Sequence, residues 1–193
     1  KDWHQALVDT FDVLRGKGCK NNNGVVEKQV HGYDTWERES LKNEENPAPQ
    51  YNLTEKKILR KYVGGDECDT EIAFEGRLVG GCMDCLVNLT GTSFDKVKEF
   101  NERYADDGII WFLESCDLNV FAIRRAMWQM DNAGWFKNVK GFLIGRPLCY
   151  GQEMMGLDQY RAVTDIAAKY NVPVIMDCDF TFNADSKWGI YTG

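Results

Sequence analysis

The chain has 193 residues, a formal charge of −7 and 44% hydrophobic side chains, which allows one substantial core or two small ones and excludes a disordered chain. Its acidic residues are spread along the sequence and do not form a tail, which argues against nucleic acid and anionic membranes as partners. No apolar run approaches the roughly 18 residues of a membrane span, and the opening KDWHQALVDTF lacks the basic-then-apolar order of a signal peptide, so a cytoplasmic protein is expected.

Residues 2–15 place Trp3, Ala6, Leu7, Phe11 and Leu14 at helical spacing, and Gly16 and Gly18 stop the helix. The chain opens on Lys1 without an initiator Met, which predicts a piece of a longer protein. Residues 17–69 are polar and broken by Asn21 to Gly24, Pro47 and Pro49, with Trp36 and Tyr51 as isolated anchors; they read as a wrapping arm. The division expected is therefore 1–69, a helix and connecting arm, and 70–193, a regular domain.

Within that domain, residues 70–79 alternate enough for a strand ending at Gly80-Gly81, and 82–89 turn into a helix stopped by Gly91. A strand over 108–113 follows. Residues 117–133 carry Val120, Ile123, Met127 and Met130 on one face, with an acid at the start and Gly134 just past the end. Then come a strand at 139–144, a helix at 158–170 with Tyr160, Val163, Ile166 and Ala167 inward, and a strand at 173–176. Alternating strands and helices predict an α/β fold with parallel pairing and right-handed crossovers.

In such a sheet the carboxyl ends of the strands gather at one edge, where loops build ligand sites. Glu114 ends one strand, Gly145 and Arg146 another, Asp177 and Asp179 a third. A carboxylate placed like Glu114 serves as a general base, a metal ligand or the orienter of a histidine. The two histidines, His4 and His31, read as surface or arm residues. A hard cation held by Glu114, Asp177 and Asp179 is a weaker reading, since strand-end acids often cap the next helix. Cys82 and Cys85 have CxxC spacing without a second pair, so packing is preferred to zinc or redox chemistry, and the seven cysteines are expected to be free thiols. Arg77, Arg124, Arg125 and Arg146 are candidates for a substrate carboxylate; Arg124 and Arg125 read as solvent-facing. Trp128, Trp135 and Phe136 read as core or interface.

The segments GRLVGGCMDCLVNLTGT, DDGIIWFLESCDLNV, RRAMWQMDNAGWFKNVKGFLIGRP and NVPVIMDCD resemble, in order and spacing, the second half of the LD-carboxypeptidase family of serine peptidases, which includes muropeptide LD-carboxypeptidases and microcin C self-immunity proteins. The resemblance runs from Gly76 to Asp179. It implies an α/β, swivelling β/β/α domain with a partly parallel sheet, preceded by the helix and arm. It also implies an upstream domain carrying the nucleophilic serine, and a Ser-His-Glu triad in which Glu114 is the acid. The family's histidine follows the last strand in an Asp-x-Asp-x-Gly-His pattern. Here Asp177 and Asp179 match, Thr181 stands for the glycine and Phe182 for the histidine, and a phenyl ring can neither take nor deliver a proton. None of the four serines, Ser40, Ser93, Ser115 and Ser186, lies in a nucleophile turn; Ser115 adjoins Glu114 but points to the opposite face of the strand.

The expectation is thus the C-terminal part of a serine hydrolase that, when intact, releases the terminal D-alanine of cytoplasmic muropeptides, with this chain alone inactive. The resemblance further implies Gly80, Gly81 and Asp179 in substrate binding, no metal or other cofactor, a peptide or muropeptide substrate and a homodimer. The alternative is a non-catalytic binding protein that kept the fold.

Overall fold

The computed structural model describes residues 34–50 and 52–180 of the chain. The expected helix over 2–15, His4, His31 and Phe182 lie outside the described residues.

The sheet grows from a central apolar strand. β6 (Ile109–Glu114) buries Ile109, Trp111 and Leu113 almost completely on one face and carries half-buried Ile110 and Phe112 on the other. This two-sided burial is the signature of a strand flanked by parallel neighbours. β5 (Arg77–Cys82) and β7 (Val139–Gly145) pair with β6 in parallel, and β10 (Pro173–Cys178) pairs in parallel with β7. β3 (Arg60–Val63) runs antiparallel beside β10 and carries β4 (Asp66–Glu67), giving the order β4-β3-β10-β7-β6-β5. Two small antiparallel pairs lie apart from the sheet: β1 (Thr35–Trp36) with β2 (Glu55–Lys56), and β8 (Glu153–Met154) with β9 (Leu157–Asp158).

Four helices accompany the strands among the described residues: α1 (Met83–Leu86), running on as a 3-10 turn at Val87–Leu89, α2 (Val97–Arg103), α3 (Val120–Asn132) and α4 (Gln159–Ala167). α3 begins at Asn119, whose side chain accepts from the Ala122 amide at 2.9 Å. It ends with the Gly134 amide on the Asp131 carbonyl and the Trp135 amide on the Met130 carbonyl, both at 3.0 Å, the paired bonds of a Schellman cap. α4 is capped by Asp158, which accepts from the Arg161 amide at 2.8 Å. Val120, Ile123, Ala126, Met127 and Met130 of α3 are buried, as are Ala162, Val163 and Ala167 of α4. They close over the Trp111 face together with Trp135, which stacks on Trp111, and Phe136, which meets Trp111 and Phe142 edge-on. Each fully buried side chain of this size adds roughly 1.5–3 kcal/mol of transfer free energy.

Two expectations need correction. The strand expected at 70–79 begins only at Arg77, and Gly80-Gly81 lies inside it. Residues before Arg77 cross the sheet instead, with the Phe74 ring directly over Gly141. Residues 60–67, read as arm, pair into the main sheet, so the sheet starts on the arm side of position 69. A helix at Val97–Arg103 went unread. Of the three aromatic residues read as core or interface, Trp135 and Phe136 are buried and Trp128 is 59% exposed on α3.

Candidate active site

The four parallel strands end side by side. In spatial order their last residues are Cys178 on β10, Gly145 on β7, Glu114 on β6 and Cys82 on β5. Glu114 is 5% exposed. On one flank it faces Cys82, its register partner on β5. Burial, and then the Glu114 carboxylate, push the Cys82 thiol well above the usual thiol range. On the other flank lies Gly145: a Cβ there would stand 2.9 Å from the Glu114 Cβ and 2.3 Å from the Phe180 carbonyl oxygen, so only glycine lets the acid and the chain after β10 approach this closely. Ser115 is 1% exposed, buried in the strand end.

Gly80 and Gly81 sit on β5 opposite Phe112 and Leu113. At Gly80, with φ +155°, a Cβ would fall 1.7 Å from the Phe112 carbonyl oxygen; at Gly81 it would meet only Leu86 Cδ1, at 3.8 Å. The first glycine is required by the neighbouring backbone, while at the second a methyl group would make only an ordinary contact.

Asp177 and Asp179 are not brought to Glu114, because β7 lies between their strands. Asp177 is 3% exposed and adopts φ +63° where β10 shifts register. Its carboxylate accepts from the Tyr160 hydroxyl at 2.9 Å and from Gln159 Nε2 at 3.3 Å, and Gln159 Oε1 accepts from the Gly151 amide at 2.7 Å. Burial raises its pKa, against the opposing pull of the Tyr160 bond and the Arg146 and Arg60 charges. Asp179 is a counter-ion: its Oδ1 lies 2.6 Å from Arg146 and its Oδ2 2.8 Å from Lys57 Nζ. Arg146, 3% exposed, also donates to the Asp177 carbonyl at 3.3 Å, and its guanidinium lies 4.0 Å from the centre of the Trp36 ring, which meets Tyr150 edge-on.

The metal reading therefore has no geometry behind it. Among the described residues no group of three His, Cys, Asp or Glu side chains gathers as a metal site, and two of the three acids invoked are held by protein partners. Of the other arginines considered, Arg77 pairs with Asp107 at 2.5 Å and Arg124 with Asp165 at 2.7 Å, while Arg125 is exposed. Cys82 and Cys85 are free thiols.

One residue with a place at this site was missed. Asp84, the second residue of α1, accepts from the amides of Cys116 at 3.1 Å and Asp117 at 2.9 Å. Nothing in CMDC signals it, since the contact spans more than thirty positions.

The chain matches the family pattern described as LD-carboxypeptidase C-terminal domain over residues 75–191, more than half its length. No curated protein matches it in sequence. Among solved structures it is similar to microcin C7 self immunity protein MccF in the inactive mutant apo state, at 16% identity and TM-score 0.60, covering 91% of this chain and 46% of that one. MccF in complex with glutamyl sulfamoyl guanosine matches at 15% identity and TM-score 0.59, covering 92% and 47%. A muramoyltetrapeptide carboxypeptidase from Oxalobacter formigenes matches at 23% identity and TM-score 0.47, covering 66% and 41%. The chain thus spans less than half the length of these structures. A mixed α/β fold with a partly parallel six-stranded sheet is common ground with the MccF structures, and the family match covers every strand that ends at Glu114's edge: this chain belongs to the LD-carboxypeptidase C-terminal domain family.

Proposed function

We propose that the chain is the C-terminal part of an LD-carboxypeptidase-like serine hydrolase in which Glu114 orients a catalytic histidine. The observation that carries this reading is the buried Glu114 carboxylate at the carboxyl end of the central parallel strand, between a glycine and a thiol and facing the edge where α/β sheets do chemistry. In a triad the acid fixes the imidazole tautomer and stabilises the imidazolium. The serine then attacks the carbonyl of the terminal peptide bond, the imidazole passes the proton to the leaving amine of D-alanine, and water releases the acyl-enzyme. The serine belongs to a preceding domain, a view supported by relatives of roughly twice this length. Alone, the 193-residue chain is inactive. A peptide or muropeptide substrate, a cytoplasmic setting and a homodimer complete the reading.

Phe182 favours a second reading, because the hydrolase requires an imidazole against Glu114 and the position where the family has one carries a phenyl ring. On that reading the protein is non-catalytic and uses the same edge to bind a peptide-like ligand. The mass of the native polypeptide, detected with an antibody to this chain, separates the two. A product longer than 22.1 kDa by about 100–200 residues supports the hydrolase; a product of 22.1 kDa overturns it in favour of the binding protein.

A further inference from the structure

We propose that Asp84 is a positioning residue for Glu114, an inference that rests on the reading of Glu114 as the acid that holds an imidazole. Glu114 is the last residue of β6, and past it the chain leaves the ladder. A strand end of this kind frays unless its next amides find acceptors. Here both amides two and three positions beyond Glu114 find the same carboxylate: Cys116 on Asp84 Oδ2 and Asp117 on Asp84 Oδ1. Bonds from backbone amides to an ionised carboxylate are among the stronger hydrogen bonds in proteins, and two on one side chain fix the path of the Glu114–Asp117 turn in both position and rotation.

The same carboxylate reaches the other side of Glu114. Asp84 Oδ2 accepts from the Cys82 thiol at 3.5 Å, and Cys82 is the register partner of Glu114. Asp84 thus touches the residue beside the acid and the turn after it. It is anchored on α1, which follows directly from β5, so β5, α1 and the end of β6 are tied into one unit around Glu114. A triad acid misplaced by about 1 Å costs on the order of 100-fold in rate, which makes such an anchor a functional requirement and not only a structural one. Asparagine at 84 keeps the shape but offers one acceptor oxygen where the carboxylate offers two.

Two measurements on the full 193-residue chain test this. First, hydrogen exchange of the Cys116 and Asp117 amides is followed by NMR. Both exchange slowly in the unsubstituted chain, and both speed up at least about tenfold in Asp84→Ala. Amides that exchange fast in the unsubstituted chain, or at the same rate in the variant, overturn the proposal. Second, on the proposed reading position 182 takes the place of the family's histidine, so Phe182→His supplies an imidazole whose pKa is followed by NMR. Glu114→Gln in that background lowers the imidazole pKa by about one unit or more, and Asp84→Asn lowers it by at least half as much. An imidazole indifferent to Glu114→Gln overturns the reading of Glu114 and this inference with it. An imidazole that responds to Glu114→Gln but not to Asp84→Asn overturns the positioning role alone.

Discussion

Cys82 and Glu114 stand side by side as register partners at the ends of adjacent parallel strands. The thiol is held protonated by burial first and by the neighbouring acid second. Alkylation proceeds through the thiolate, so Cys82 should react with iodoacetamide at pH 8 at least about tenfold more slowly than an unhindered thiol of ordinary pKa. Glu114→Gln, which removes the carboxylate charge, should speed it. Peptide mapping by mass spectrometry reads the rates; a Cys82 as fast as a free thiol, or unaffected by Glu114→Gln, contradicts the contact.

The two adjacent glycines of β5 should differ sharply. Gly80→Ala drives a methyl group into the Phe112 backbone, and the loss should exceed about 3 kcal/mol or prevent folding. Gly81→Ala makes only an ordinary contact with Leu86 and suffers its φ of +147°, a cost of about 1–3 kcal/mol. Urea denaturation of both variants measures the gap; equal losses would contradict the close approach of β5 to β6.

Much of this architecture was legible in the sequence, and the reasons are specific. IIWFL and VKGFLIG announce buried strands because both faces are covered, and α3 was readable from Val120, Ile123, Met127 and Met130. The family resemblance, carried by GRLVGG, WFLES and FLIGRP, is matched over residues 75–191. β3 was not legible, since only Tyr62 of RKYV is buried and an antiparallel strand with one inward side chain leaves no apolar run. The 70–79 stretch was misread because Ile72 and Phe74 alternate like a strand while Phe74 serves to cover Gly141. Among the site residues, Glu114 was marked by its position after an apolar run. Asp84 and the Trp36–Arg146 contact had no local signal, because each joins segments far apart in sequence.

Asp177 should impose a pH dependence on stability. Burial raises its pKa in the folded chain above the unfolded value, so the folded state holds the proton more tightly. Its contribution is most favourable at pH below the unfolded carboxylate value and diminishes as pH rises through the folded one. Asp177→Asn keeps one acceptor oxygen, for Gln159 Nε2, turns an amide donor toward the Tyr160 hydroxyl oxygen, and suits the φ of +63°. The variant should flatten the pH profile and gain relative to the parent toward neutral pH. Urea midpoints from pH 4 to 8 decide it, and a parent whose stability does not fall across this carboxylate's titration, relative to the variant, contradicts the account.

Trp36 anchors the arm by covering the buried guanidinium of Arg146 at 4.0 Å and meeting Tyr150. Trp36→Ala should cost about 2–3 kcal/mol, while Trp36→Phe should retain more than half of that. A Trp36→Ala variant as stable as the parent would mean that the arm does not hold this edge.

The most direct test of the central claim is release of D-alanine from a murein tetrapeptide by the native polypeptide carrying Phe182→His, compared with its counterpart that also carries Glu114→Gln. The account predicts release once the imidazole is restored, a fall of about 10³–10⁴-fold on adding Glu114→Gln, the scale of losing a triad acid, and none from the 193-residue chain alone. No release by the native product with the imidazole restored, or release that survives Glu114→Gln undiminished, would contradict the role assigned to Glu114.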